Sequence, residues 1–477
     1  MNFLLFIPEL TITAVAFGVL SLDLFTSKDN KGVLPIASIV GLLIVLVVSL
    51  TYLSDKEDAL YGGLFLIDNF SLFFKGFFIV LGILVIISSI DYTNQHLQRP
   101  GEYYGILLLS ILGMMLMAAS GELLTAYISL ELVSFSLYVL VSYGNAGLKP
   151  SETGVKYILL GGFASAILLY GISQIYGVLG TTQFHEIHVA LIEEGGVLDS
   201  GVLIGLTMVI VGMGFKIAAV PFHMWAPDVY EGSPTPITAY LAVGSKAAAF
   251  ALIMRLFSQG LMPAVDNWQT IIVILSAVTM TLGNLVALAQ HNIKRMLAYS
   301  SIGQVGYILM GIAALGGLTS NGIIFHLVGY GFTTLAAFLC VIIFYNATGR
   351  EEIGDYSGLA DRSPFLAMAL SVALLSLAGL PFFVGFTSKF YLFTAAADGG
   401  LIWLVGIAIT ASLISLYYYL MVMKQMYMLP SEDASSIRIS ATNRALLWSL
   451  TLTIVVLGIF PSPLINTIQS ASNVLFP

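Results

Sequence analysis

The sequence predicts an all-α polytopic membrane protein of about fourteen transmembrane helices, two of them broken. Three observations carry this reading. Hydrophobic residues make up 58% of the chain and charged residues only 9%, apolar runs recur from end to end, and lysine and arginine gather in alternate loops. A soluble domain carries roughly a quarter charged residues, so water is not the solvent for most of this surface. A bilayer crossing takes ~20 apolar residues, which sets the helix count for a chain of 477 residues.

The runs fall at 3–25, 33–53, 70–91, 103–120, 123–143, 153–179, 201–232, 236–257, 268–290, 295–316, 320–346, 364–397, 401–428 and 443–461, separated by Gly, Pro or charge. The first lacks a basic leader and a small-residue cleavage site and carries Glu9 and Asp23, so it reads as a retained helix. The second and fourth hold no charge. In the third, Lys75 sits one turn from the start, where a lysine stem snorkels to the interface. The fifth carries Glu131, the only carboxylate near the middle of a span. The sixth carries Lys156 about one turn inside.

The seventh and twelfth runs are too long for a simple crossing. They contain Pro221 and Pro381, where the missing backbone donor breaks a helix. Such breaks are tolerated at membrane depth only where freed backbone groups are buried in protein or line a wet cavity. Lys216 stands one turn before the first break and Lys389 two turns after the second. The eighth run holds Lys246 mid-span, within Val243-Gly244-Ser245-Lys246-Ala247-Ala248-Ala249, too deep to snorkel and flanked by small residues. The tenth and eleventh supply polar stepping stones: Ser300, Ser301, Gln304, Tyr307, His326, Tyr330 and Thr333.

Assigning loops alternately puts Lys28, Lys31, Arg99, Lys149, Lys294, Arg295, Arg350, Arg362, Lys424, Arg438 and Arg444 on one side, and only Lys56 and Arg255 on the other. By the positive-inside rule the basic side is cytoplasmic, which places the chain in the cell inner membrane with both termini on the outer side. No basic run points to nucleic acid. Cys340, alone in an apolar stretch, cannot build an iron–sulfur, haem or structural zinc site. The spacing of His185, His188, His223 and His291 argues for no metal.

Pro221 lies 118 residues after Tyr103, and Pro381 lies 113 after Trp268. Two units of five helices each would place the breaks alike, and an odd helix number makes the copies inverted. The domains expected are three N-terminal helices (1–102), repeat 1 (103–257), repeat 2 (268–428) and a loop with a last helix (429–477).

A charge at the bilayer centre costs about 2.5–3.5 kcal/mol on insertion scales, so such residues are rare and usually functional. Burial favours the neutral forms of lysine and glutamate, while their mutual attraction favours the charged ones. A Lys–Glu pair held between these limits exchanges protons as a unit. Lys216, Lys246, Lys389 and Glu131 therefore form a candidate relay, and His326 can accept or donate at neutral pH. Read singly, Glu131 could be a structural ion-pair member and His326 a satisfied core histidine.

Beyond these residues, the stretch from Gly214-Phe215-Lys216 through Val220-Pro221-Phe222-His223-Met224-Trp225-Ala226-Pro227-Asp228 to Ser233-Pro234-Thr235-Pro236 resembles the signature of the antiporter-like subunits of respiratory complex I. So do Lys294-Arg295-Met296-Leu297-Ala298-Tyr299-Ser300-Ser301-Ile302-Gly303-Gln304 and Gly379-Leu380-Pro381-Phe382. Among the three large paralogues, L, M and N, the chain most resembles the N type. It opens with Ile7-Pro8-Glu9-Leu10, carries Lys389 where the M type has glutamate and Tyr330 where L and M types show a second histidine, and it has no long lateral helix. The resemblance implies that Glu131 pairs with Lys216, that Lys246 is the central relay residue, that Lys389 faces a terminal proton channel, and that His326 joins the axis between them. Lys156 matches a sixth-helix lysine of the family. Asp228 and Glu231 belong to the loop motif, with structural and catalytic readings both open.

The resemblance further implies a non-redox subunit of an NADH:quinone oxidoreductase. It holds no cofactor of its own; NADH, flavin, iron–sulfur clusters and quinone belong to other subunits, and its neighbours are M-type and K-type membrane subunits. A multisubunit cation/proton antiporter is the alternative. A passive scaffold fits poorly with the retained charges, and a quinone-reducing enzyme has no redox centre to work with.

Overall fold

In a computed structural model of the chain, residues 3–27, 30–54, 56–97, 99–144, 148–193, 198–431 and 435–476 are described, with 3 and 148–150 by backbone only. Lys28 and the Lys149 side chain, both used above for orientation, lie outside the described residues. Helices α1 (Ile7–Phe25) and α2 (Val33–Leu53) precede a short antiparallel hairpin of β1 (Asp58–Leu60) and β2 (Phe65–Ile67). Then come α3 (Asn69–His96), α4 (Pro100–Ala119), α5 (Leu123–Val141), α6 (Leu148–Leu179) and the short α7 (Phe184–Glu193), which buries Phe184, Ile187 and Leu191. The first break separates α8 (Ser200–Ile217) from α9 (Trp225–Gly232). Next, α10 (Thr235–Tyr240), a π-helical turn (Leu241–Ser245) and α11 (Lys246–Gln259) make one rod. The second half holds α12 (Val265–Ala287), α13 (Ile293–Ala313), α14 (Gly317–Thr348), the single turn α15 (Leu359–Arg362), α16 (Pro364–Ala378), α17 (Val384–Asp398), α18 (Ile402–Met428), α19 (Ala441–Ile459) and α20 (Ser462–Ser472).

Among the described residues, thirteen helices are long and apolar enough to cross a membrane. The expected count of about fourteen differs at the twelfth run, where α16 and α17 have 15 residues each. At 1.5 Å per residue each reaches only about 22 Å, short of a hydrocarbon core of ~30 Å. The two halves serve as one interrupted element.

The breaks are built alike. Helix α8 ends at Ala218 with φ 60°, and α16 ends at Gly379 with φ 88°. After each, the following N–H reaches back five residues, from Ala219 to the Gly214 carbonyl at 2.8 Å and from Leu380 to the Leu375 carbonyl at 3.1 Å. This left-handed cap satisfies carbonyls that the helix end would orphan. Pro221 and Pro381 lie in the links beyond, where no helical donor is needed.

Burial sorts the rods. The most apolar window of Thr235–Gln259 is wholly buried, and those of Ile293–Ala313 and Gly317–Thr348 are 94% buried, so these three rods form the centre. Helix α6 instead turns Val155, Leu159, Phe163 and Tyr170 outward, as a helix facing hydrocarbon or a partner does.

Two expectations are corrected here. Lys75 does not snorkel: it is fully buried, with Nζ 2.6 Å from the Glu9 carboxylate of α1. Arg255 is not a loop residue. It is also fully buried, in α11, and its two terminal nitrogens bind the Asp68 carboxylate at 2.7 and 2.9 Å while Nε donates to the Ala118 carbonyl at 3.1 Å. Asp68 caps α3 by accepting from the Ser71 N–H, so one carboxylate holds a helix start and a guanidinium together. Near a span end, position alone does not distinguish a snorkelling cation from a paired one; the partner sits on another helix.

Candidate functional site

Helix α5 presents Glu131 and Ser134 one turn apart, and α8 brings Lys216 against them in its last turn. The Lys216 Nζ donates to the Ser134 hydroxyl at 2.9 Å, while the half-buried Glu131 accepts from Ser165 of α6. The two charges are held by different serines, with no direct ion pair between them in this structure. Ser134, Ser165 and Lys216 share the wall of a cavity of about 10 Å³, roughly the room one water needs.

Lys246 opens α11 directly after the π turn and is buried. Its Nζ donates to the Ser301 hydroxyl of α13 at 2.6 Å and lies 5.8 Å from the centre of the Tyr230 ring. The π turn leaves the Ala242 carbonyl free to accept from the Tyr330 hydroxyl at 3.3 Å. Such turns are rare and recur at functional sites.

One turn beyond Ser301 on α13, Gln304 uses both ends of its amide. Its Oε1 lies 3.2 Å from His326 Nε2, and its Nε2 donates to the Leu377 carbonyl at 3.3 Å. The other ring nitrogen of His326 lies 3.1 Å from the Ser388 hydroxyl. Lys389 donates to that same Leu377 carbonyl at 2.9 Å, to Ala378 at 3.2 Å and to the Ser412 hydroxyl at 2.9 Å. Breaking the helix at Gly379 exposes those two carbonyls at the negative end of α16, where a cation is favoured. Thr333 bonds Ser376 at 3.1 Å, and Ser376 accepts from the Gly385 N–H at 3.1 Å, which ties the two halves across the break. Lys389 and Ser412 also reach a cavity of about 530 Å³ that is walled mostly by apolar groups such as Phe386, Phe390 and Leu413.

Lys246, His326 and Lys389 therefore share one buried polar file along α13, α14 and the second break. The Glu131–Lys216 group is a separate cluster at the edge of the first half. Lys156 belongs to neither. It is half-exposed and pairs with Glu152 at 2.8 Å and Asp228 at 3.2 Å, and Asp228 and Glu231 in turn bind Arg295 at 2.8 and 3.0 Å. That network staples α6, α9 and α13 at the basic side, since a lysine stem about two turns inside α6 still reaches carboxylates near the helix edge. Among the described residues no group of three or more His, Cys, Asp or Glu is placed to hold a metal ion.

Sequence reasoning missed Ser134, Ser165, Ser388 and Ser412 as lysine, carboxylate and histidine partners. Serine is common inside membrane helices, so nothing marks the ones that matter. The Leu377 and Ala378 carbonyls had a signal in Pro381, which implied freed acceptors nearby.

The fold and the buried charges define a class: a multi-pass helical membrane protein that keeps titratable side chains in its interior beside broken helices. The chain belongs to the NADH:quinone oxidoreductase/Mrp antiporter transmembrane family, which matches residues 120–415 and so includes Glu131, Lys216, Lys246, His326 and Lys389. It is 40% identical over 479 residues to NADH-quinone oxidoreductase subunit N of Heliobacterium modesticaldum, with the whole of both chains covered. A chain of respiratory complex I from Thermus thermophilus shares 28% identity, with a TM-score of 0.81 over 97% of this chain and 99% of that one. A chain of the Mrp complex from Dietzia sp. shares the fold, with a TM-score of 0.86 at 23% identity over 100% and 98%.

Proposed function

We propose that the chain is the N-type, proton-translocating membrane-arm subunit of a complex I-type NADH:quinone oxidoreductase. The observation that carries this is the set of buried titratable groups, Lys246, His326 and Lys389, lined by the Ser301, Ser388 and Ser412 hydroxyls, with the Gln304 amide orienting His326. In this reading Lys246 gives up a proton along the file toward Lys389 when the charge beside it changes. Lys216, bound to Ser134 one turn from Glu131, is the open form of a Lys–Glu pair; swinging onto Glu131 closes it. Closing and opening that pair changes the field at Lys246. Each proton moved outward against 100 mV needs about 2.3 kcal/mol, supplied by quinone reduction elsewhere in the complex.

The chain itself serves without a redox group; NADH, flavin, iron–sulfur clusters and quinone act in other subunits. Its neighbours are the M-type and K-type subunits, and its basic face is cytoplasmic with both termini outside. The similar caps at Ala218 and Gly379 support a division into two inverted repeats. The full-length relative named subunit N favours this reading over a cation/proton antiporter, for which the likeness bears on the fold alone.

The test is Lys246→Met, with Glu131→Gln beside it, in the assembled complex. Loss of a positioned proton carrier costs about a hundredfold or more, so proton release per electron should vanish within error while the complex still assembles. An unchanged proton-to-electron ratio in an intact complex refutes the relay.

A further inference from the structure

A lateral cavity of about 460 Å³ opens between α3, α14 and α20, apart from the lysines and His326 of the relay. Its walls are apolar: Phe73, Phe77 and Val80 of α3 face Val328 and Phe332 of α14. Polar side chains stand at one end only, where Asn69 begins α3 and α20 brings Thr467 and Ser470. Among the described residues no charged side chain lines it. The far end is closed by packing. A Cβ on Gly331 would lie 3.2 Å from the Phe77 ring and 3.1 Å from Val243 of the π turn, so nothing passes from here to Lys246.

Helix α20 makes the enclosure. It buries Ile468, Ala471 and Ser472 against α3 and α14, and the Ser472 hydroxyl donates to the Asn321 amide oxygen at 2.5 Å. The cavity also has a depth and a direction. Val80 is 11 residues beyond Asn69 in α3, and Val328 is 11 beyond Gly317 in α14. Each is a rise of about 16 Å, close to half of a ~30 Å hydrocarbon core. Lys294 pairs with Glu351 just past the other end of α14, so the polar mouth lies on the face opposite the basic one. Organic ligands fill cavities of about 300–1,000 Å³. One that is apolar for the depth of a single leaflet and polar only at its surface end has the shape of a lipid chain. The mouth offers little grip to a headgroup, since Thr467 and Ser470 spend their hydroxyls on carbonyls of α20 itself.

We propose that this cavity is a binding site for one acyl chain of a membrane phospholipid, which enters from the face opposite Lys294 and leaves its headgroup at the mouth. The inference does not rest on the proton-translocating reading. Hydrocarbon gains no hydrophobic energy in moving from lipid to an apolar wall, so packing alone holds the chain. Chain length should therefore matter, and headgroup charge should not. To test this, the whole complex is loaded with a phospholipid whose palmitoyl chain carries a diazirine near its methyl end. It is then diluted into unlabelled vesicles and illuminated, and the labelled residues are mapped by mass spectrometry. Label at residues 76–80 and 328–332 should exceed that on the rest of the complex several-fold. Phosphocholine and phosphoglycerol heads should label alike, and an octanoyl probe should label several-fold less. Gly76→Phe puts a ring into the cavity, because a Cβ there meets only the Leu46 side chain at 4.0 Å, and should bring the label down to the level elsewhere. Thr467→Trp, on the exposed side of α20, should do the same by covering the mouth, and stands in if Gly76→Phe fails to assemble. The proposal is overturned if the parent holds no more label there than elsewhere, which marks passing boundary lipid. It is equally overturned if those residues take no label, because a neighbouring protein then fills the cavity, or if label survives in the assembled variants. Label that required the anionic head would overturn the assignment to the chain.

Discussion

Arg255→Leu should destabilise the folded chain by about 3–5 kcal/mol, because it strands the Asp68 carboxylate in the protein interior. The guanidinium now supplies two of its acceptor contacts, and its Nε also satisfies the Ala118 carbonyl at the end of α4. Removing it therefore leaves a charge and a carbonyl short of donors, and both are shielded from water. The measurement is the unfolding midpoint of the complex in detergent, with the amount of assembled complex as a second readout. Arg255→Met combined with Asp68→Leu should recover most of the loss, since replacing a whole buried pair by apolar groups is often neutral. A single variant within about 1 kcal/mol of the parent would show that water reaches the pair.

Gly385→Ala should have the other large effect. A Cβ there would fall on the Ser376 carbonyl, which is backbone and cannot swing aside. Overpacking of this kind costs about 1–3 kcal/mol and more where backbone must move. Here the movement separates α16 from α17, lifts the Leu377 and Ala378 carbonyls away from Lys389 and lengthens the Ser376–Gly385 bond. Proton translocation should therefore fall further than assembly does. Gly406→Ala, on the open face of α18 with nothing within 4 Å of its Cβ, is the control expected to behave as the parent. Equal losses in the two variants would mean that helix glycines matter here only in bulk.

How much was legible beforehand depends on what each signal measures. Composition and run length gave the membrane fold, because solvation by hydrocarbon acts on every residue of a span. Lys246, Lys216 and Lys389 stood out because depth in an apolar run can be counted along the chain. Lys75 and Arg255 were misjudged for the same reason in reverse: both lie near span ends, and the carboxylates that hold them, Glu9 and Asp68, come from elsewhere in the sequence. The Glu131–Lys216 contact was expected from resemblance, and the structure bonds Lys216 to Ser134 and Glu131 to Ser165. Backbone ligands such as the Leu377 carbonyl have no residue type to betray them.

The π turn at Leu241–Ser245 has a consequence for chain length. It holds one residue more than an ordinary helical ladder would need at that height. Deleting a single residue there would let the rod close up as regular helix with its two halves still in phase, because the extra residue is what widens the turn. Lys246 would keep its heading, but the Ala242 oxygen would be taken up by its own helix and the Tyr330 hydroxyl would lose its acceptor. An added residue that the wide turn does not absorb would instead swing Lys246 by about 100° away from Ser301. Shortening and lengthening the rod thus break different contacts.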